Sequence, residues 1–450
     1  MTSTTNDAFD LRGVLLSGFL PAALFAIGEG AIIPIIPIAA DSLGASLAIA
    51  GFVASLILVG ELIGDVPSGV VVARIGERNA MIGAAVVSVV GLLVCTVAPN
   101  PLVLAVGVFL VGLSTAVFAL ARHAYMTTAI PLRIRARALS SLGGVFRFGY
   151  FVGPFLAAGV IHLTGTTQSA FWVHVVCCLG AAVVLLVIRD PATGVRGLQR
   201  PTRASRPTAT DAATSDATAT DAAATDVTAT TAGTTRPGEL EGEQFVEEES
   251  HGLFQTIRAH HRVLVRLGSG AALIGAMRAG RQVILPLWAV SVGLDDSTAA
   301  LVIGIAGAVD FALFYTSGQI MDRWGRLASA LPCMLGLSIC YFLLAWSDHL
   351  DARVGWFVAV AMAMSLANGV GSGILMTLGA DLAPADRPAP FLGAWRFTGD
   401  LGSAAAPLVI SGVTALATIA VASGVMGVLG LVGAGILLRY VPRYLPRTLR

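Results

Sequence analysis

The sequence predicts an all-α membrane protein of twelve transmembrane helices, built as two pseudo-symmetric six-helix bundles. Three observations carry this: a surplus of apolar residues, apolar stretches spaced six and six, and an internal repeat at one constant offset. Of 450 residues 56% are apolar and 12% charged, whereas a soluble domain carries roughly 25% charge. Twelve spans of about 20 residues need roughly 240 apolar-rich positions, and 56% of the chain supplies about 252.

Stretches long enough to cross a bilayer fall at about 12–40, 48–72, 79–98, 101–121, 139–162 and 168–188, then at 268–289, 298–321, 328–346, 353–378, 389–413 and 417–438. The first is longer than a signal-peptide core and holds Glu29 at its middle, so it counts as a span. Arg12, Arg74, Arg78, Arg122, Arg133, Arg135, Arg137, Arg323, Arg326, Arg387 and the tail from Arg439 fall on one side, and Arg353 alone on the other. That asymmetry places both termini in the cytoplasm of a multi-pass protein of the plasma membrane.

The expected organisation is a first bundle over 1–190, a cytoplasmic linker over 191–266 and a second bundle over 267–450. Within the linker, a Thr/Ala/Asp-rich tract and an acidic patch over 195–250 lack the apolar area to fold. Residues 252–266 read as a short amphipathic helix on the membrane face.

Composition excludes other classes. The net charge of +1 gives no basic surface for nucleic acid. Every one of the 28 cations is Arg, and the five Cys lie in apolar stretches without ligand spacing, so neither a metal nor another cofactor is expected. No phosphate loop follows a strand and no catalytic triad emerges, so no enzyme is expected. The expected partners are a small-molecule substrate, protons and the lipid bilayer, with the protein as a monomer.

Shifting the sequence by 249 residues superposes Pro37 on Pro286, Gly69 on Gly318, Arg74 on Arg323, Gly76 on Gly325, Gly144 on Gly393, Arg147 on Arg396 and Phe148 on Phe397. Each half has an even number of spans, so a two-fold axis along the membrane normal relates the halves.

Gly318-Gln319-Ile320-Met321-Asp322-Arg323-Trp324-Gly325-Arg326 matches the GxxxDRxGR loop of the major facilitator superfamily, which the chain resembles over all but its linker. The resemblance implies the major facilitator fold, and a latch closing the cytoplasmic side through Gly318, Asp322, Arg323, Gly325 and Arg326. Its first copy retains Gly69, Arg74 and Gly76 but has Ala73 in place of the acid, with Asp65 as a candidate substitute. Ile27-Gly28 with Pro34 and Pro37, and Gly149, Gly153 and Pro154 on the fifth span, resemble the twelve-span drug:proton antiporter branch. The fourth span departs from that branch, having no Arg near Gly112.

Ionisable groups within a bilayer cost about 2.5–3.5 kcal/mol each on insertion scales and mark functional sites. Here they are Glu29, Glu61, Asp65, Asp310 and Asp400 against Arg147, Arg278, Arg281 and Arg396. The repeat maps Glu29 onto Arg278, Glu61 onto Asp310 and Arg147 onto Arg396. In the arrangement the resemblance implies, the second span faces the eleventh and the fifth faces the eighth. Arg396 is therefore expected near Glu61 or Asp65, and Arg147 near Asp310, as gates at the bundle interface. Glu29, Arg278, Arg281 and Asp400 are the expected proton-coupling and substrate groups, with Glu29 either the proton carrier or a counter-ion to Arg278 or Arg281. Phe118, Tyr125, Trp288, Trp395 and Asn368 are expected on the cavity wall, and the glycines after Asn368 make the tenth span deformable. The function expected is secondary active transport by alternating access, with proton-coupled efflux of hydrophobic or cationic molecules as the leading reading. The alternatives are a sugar or polar-metabolite symporter or uniporter, and a transporter-like sensor working through the linker.

Overall fold

The computed structural model describes residues 15–129, 132–188, 256–384 and 388–445, and among these every regular element is a helix. Eleven helices are long and apolar enough to span a membrane, or twelve if the bent pair α1 (Leu20–Ile32) and α2 (Ile35–Ser42) is one span. This is a multi-pass membrane protein. The linker tract at 195–250 lies outside the described residues.

The 41° bend between α1 and α2 sits at Pro34, whose ring removes a backbone donor. The first repeat continues with α3 (Leu47–Ile75), α4 (Glu77–Thr96), α5 (Pro101–Ala129), α6 (Leu132–Thr164) and α7 (Phe171–Val187). The second comprises α8 (Ser269–Ser291), α9 (Asp296–Trp324), α10 (Arg326–Ser347), α11 (Arg353–Val370) with α12 (Ile374–Leu382), α13 (Pro388–Leu416) and α14 (Ile419–Tyr444). Residues 252–255 of the expected surface helix lie outside the described residues, and 256–266 do not continue as one separate helix. From His261 the chain runs helically into α8 as one span, after a break at His260.

Local chemistry repeats at the same offset. Ser46 caps α3 by accepting from the Ile49 N–H, and Asp295 caps α9 by accepting from the Thr298 N–H. Gly76 and Gly325, at φ 80° and 89°, turn the chain into the next span with a backbone that side chains disfavour. On α6 a Cβ at Gly153 would stand 2.4 Å from the Ala31 nitrogen, and on α13 one at Gly402 would stand 1.9 Å from the Ala272 carbonyl oxygen. Each first span thus packs backbone to backbone against its fifth, which only Gly allows. Gly149 is of the same kind, meeting Ala26 at 2.4 Å. The glycines that resemble an antiporter motif therefore serve helix packing here.

Contacts between the repeats run lengthwise along α6 against α9 and α3 against α13. At the end bearing Asp296, Thr167 donates to its carboxylate, and the Ser411 hydroxyl donates to the Ala48 carbonyl at 2.6 Å. These bonds join the repeats at that end.

Candidate substrate cavity and buried charges

Between the repeats lies a cavity of about 790 Å³, lined by α1 and α6 of the first and by α8, α9, α11 and α12 of the second. It reaches Gly318 and Asp322 of the latch sequence, where the Asp322 side chain is 82% exposed. Of the predicted residues, Arg147, Arg278, Arg281, Asp310, Asn368, Pro154, Gly318 and Asp322 line it.

Asp310 is the centre of a polar cluster. Its Oδ2 accepts from Arg281 at 3.2 Å and from the Asn368 amide at 2.7 Å, while Arg281 also donates to the Ser365 hydroxyl at 2.8 Å. Arg278 donates to the Gly371 carbonyl, and Arg147 crosses from the other repeat to donate to the Ser372 hydroxyl and, at 2.7 Å, its carbonyl. Both guanidiniums therefore hold the break between α11 and α12, where Gly371, Ser372 and Gly373 leave the helix. Phe314 lies 4.5 Å beneath the Arg147 guanidinium.

Arg147 lies near Asp310 and Arg396 near Glu61 and Asp65, as expected, and each also bonds to another group. Arg147 lies within electrostatic reach of Asp310 but bonds to Ser372, while Arg281 and Asn368 both donate to Oδ2 of Asp310. Arg396 acts electrostatically on Glu61 and Asp65 and also pairs with Asp400 on its own helix at 3.3 Å, one turn away. Asp400 pairs there, 41% exposed, and not in the cavity. Arg396 also reaches His123 electrostatically. His123 is the repeat equivalent of Ser372, so each fifth-span Arg lies within electrostatic or bonding reach of the other repeat's fourth-type span.

Glu29 is buried in the first repeat at 6% exposure, accepts from the Tyr150 hydroxyl at 3.2 Å, and feels Arg122 electrostatically. It does not contact Arg278 or Arg281; those guanidiniums are engaged within the second repeat. Tyr150 lines the cavity and stands between it and Glu29.

Arg122, assigned above to a loop, is inside α5, 7% exposed, with its guanidinium 4.0 Å from the Phe146 ring. The fourth span thus does carry a buried Arg, further along than Gly112, a fifth cation beside the four read within the spans. The aromatic wall residues are corrected too. Phe118 stacks on Phe25 at 4.1 Å, Trp288 is 1% exposed in the core, and Trp395 packs on Phe391 and donates its indole N–H to Leu375. With Tyr125, which is buried as well, they fill space between helices and do not line the cavity. The cavity's aromatics are Phe146, Tyr150, Phe311, Phe314 and Tyr315, with Phe311 stacked on Phe151 at 5.9 Å. Tyr150, Gln282 and Ser372 are cavity groups that sequence reasoning missed. Tyr150 had a signal, being one helical turn after Arg147 and on the same face.

Around the latch, Arg326 donates to Asp381 at 2.7 Å and Asp322 at 3.3 Å, and Arg323 lies 5.2 Å from the Trp324 ring. In the first copy, Gly69 and Arg74 stand on the last turns of α3, and among the described residues Arg74 forms no ion pair with Asp65. Instead Arg78 donates to the carbonyls of Leu185, Leu186 and Ile188, capping the C-terminus of α7.

The profile of the Major Facilitator Superfamily matches residues 18–407. An uncharacterised MFS-type transporter of Mycobacterium tuberculosis is 28% identical over 189 residues, covering 42% of this chain and 26% of that protein. Inositol transporter 4 of Arabidopsis thaliana is 26% identical over 157 residues, 35% of this chain and 26% of that one. The chain thus spans about a quarter of the length of these curated relatives. Among solved structures, a D-xylose-proton symporter superposes with a TM-score of 0.70 at 15% identity, covering 98% of this chain and 100% of that one. A POT family transporter in complex with a thioalcohol-conjugated peptide gives 0.70 at 11%, covering 96% and 97%. At such identities the likeness speaks for the fold.

Proposed function

On the premise that this chain belongs to the major facilitator superfamily, we propose that it is a proton-coupled secondary transporter of a polar metabolite, working in the plasma membrane by alternating access. The single observation that carries this reading is the cavity between the repeats, with Arg147, Arg278, Arg281, Gln282, Asp310 and Asn368 in its lining. Its volume of about 790 Å³ lies in the range of small-molecule sites. Hydrogen-bonding groups converge from both repeats, and Phe311 and Phe314 offer apolar faces on which the ring of a sugar-like molecule can rest. Export of lipophilic cations fits this lining less well, because such a cation would meet three guanidiniums. The names of the similar proteins, an inositol transporter and a D-xylose-proton symporter, favour the same class.

Glu29 is the proposed proton carrier. It is a buried acid bonded to Tyr150, which lines the cavity, and Glu61 and Asp65 extend the acidic path along α3. The Thr167 and Ser411 bonds at the Asp296 end, with the Arg326 pairs at the other, are the proposed gates.

The test is flux in proteoliposomes with and without an imposed pH gradient, using xylose, myo-inositol, glucuronate and tetraphenylphosphonium. Gradient-driven flux of at least one polar solute is expected, with Glu29→Gln abolishing the dependence on the gradient. Gradient-driven flux of tetraphenylphosphonium alone would replace this reading with drug efflux.

A further inference from the structure

The cavity charges do not balance. Arg147, Arg278 and Arg281 face Asp310 and Asp322. Asp322 stands largely exposed at the mouth and pairs with Arg326, and Asp310 is shared by Arg281 and Asn368. The acceptors of Arg147 and Arg278 are neutral: a serine hydroxyl and two backbone carbonyls. Arg147 and Arg278 also act on each other as like charges from opposite repeats. Buried polar atoms on the same lining residues lack a hydrogen-bond partner among the described residues: Nε of Arg278 and of Arg281, Oδ1 of Asp310 and Oδ1 of Asn368. Two of these are donors on cations and two are acceptors. A guanidinium fork matches an oxyanion in a bidentate way, and the acceptors match hydroxyl donors.

We propose that the cavity binds a hydroxylated organic anion, its oxyanion group held between Arg147 of the first repeat and Arg278 of the second, and its hydroxyls received by Asp310 and Asn368. This rests on the polar-metabolite reading and narrows it. An anion placed there exchanges the neutral acceptors at Gly371 and Ser372 for a charged one and cancels the repulsion between the repeats. Substrate charge is thereby linked to closure of the cleft, since the two cations belong to the two halves that must approach.

The experiment is thermal unfolding of the purified full chain in nanodiscs, at constant ionic strength, titrated with glucuronate, sulfate, glucose and tetraphenylphosphonium. Glucuronate is expected to raise the midpoint saturably, with half-saturation at least tenfold below that of glucose. Arg278→Gln and Arg147→Gln should each raise the glucuronate half-saturation tenfold or more, and Arg278→Lys should lose less, since it keeps the charge but not the fork. If Arg147→Gln does not fold, the two Arg278 variants decide the matter. Equal half-saturation for glucuronate and glucose, or no effect of Arg278→Gln, overturns the anion site and leaves the polar-metabolite reading standing. Saturation by tetraphenylphosphonium alone overturns both, and no saturable shift with either anion overturns the anion site.

Discussion

Replacing Asp310 with Asn, Arg281 with Gln, and both together tests whether the polar cluster is organised by charge or by shape. The two side chains are 17% and 11% exposed and meet at 3.2 Å. With an effective dielectric near 20, charges at 3.2 Å attract by about 5 kcal/mol before desolvation is deducted. Removing one partner of such a pair costs about 3–5 kcal/mol, since the other is left uncompensated. Asp310→Asn should sit at the low end, near 3 kcal/mol, because the cavity admits water to the released guanidinium and Ser365 still accepts from it. Arg281→Gln should cost less, about 2 kcal/mol, since Asp310 keeps its bond from Asn368 and the neighbouring field of Arg147. The double variant removes both charges and should be less harmed than the sum by about 2 kcal/mol. Denaturant titration of the four proteins in one detergent, followed by tryptophan fluorescence, measures that coupling. Additivity within about 0.5 kcal/mol would refute the account, and the cluster would then be held by packing alone.

Three other outcomes follow from local geometry. Gly153→Leu should abolish folded protein, measured as monodisperse yield from membranes, since its Cβ would stand 2.4 Å from the Ala31 backbone; at exposed Gly159 on the same helix a Cβ meets nothing within 4 Å, and Gly159→Leu should express normally. Arg78→Ala releases three carbonyls at the end of α7 and should cost about 1–3 kcal/mol, with faster amide exchange confined to the last turn of α7 as the readout. Asp295→Ala should cost about 0.5–2 kcal/mol as a lost helix cap. The Ser297 hydroxyl and then the Thr298 N–H hold the Asp295 carboxyl below its ordinary value of 3.8, favouring the charged form in the folded protein. Its contribution is therefore full above about pH 4 and fades as pH falls through the lower folded value, so the stability gap between wild type and Asp295→Ala must narrow at low pH, and a gap that widens there contradicts the cap.

Much of the architecture was legible because apolar period and repeat offset are properties of the chain itself. The offset of 249 that aligned Gly76 with Gly325 also aligns the helix bounds Leu47–Ile75 with Asp296–Trp324, because equivalent caps and turns stop equivalent helices. Side-chain direction was less legible. Arg122 follows an apolar stretch ending at 121 and so reads as a loop cation; only the continuation of α5 to Ala129, bringing Phe146 of α6 against it, shows a buried group. Phe118 and Trp288 carry no sequence mark telling cavity from core, since a helix offers an aromatic the same period on either face. Arg147 was expected at the bundle interface near Asp310; it is within electrostatic reach of that acid, lines the cavity and bonds to Ser372. Helix pairing can be inferred from the repeat, but which of two neighbouring groups, Asp310 or Ser372, a long side chain bonds is set by local side-chain direction that the repeat does not encode.

The repeat conserves geometry while dividing the chemistry, and the division bears on how one ion could drive another solute. At the equivalent positions 29 and 278 stand an acid and a base; the acid bonds to Tyr150 within the first repeat and the base to Gly371 within the second. Were both acids, or both bases, protonation and substrate binding would compete for one kind of charge on both sides of the cleft. With the proposed proton group in one repeat and the proposed anion group in the other, Tyr150 is the element that sees both, because it lines the cavity and bonds to Glu29. On this reading Tyr150→Phe should leave glucuronate binding within a few-fold of wild type while weakening the dependence of flux on the pH gradient, since the variant keeps the ring and loses only the hydroxyl. Parallel titration and flux on that variant separate the two roles, and loss of binding with coupling retained would mean the hydroxyl serves the substrate instead of the proton.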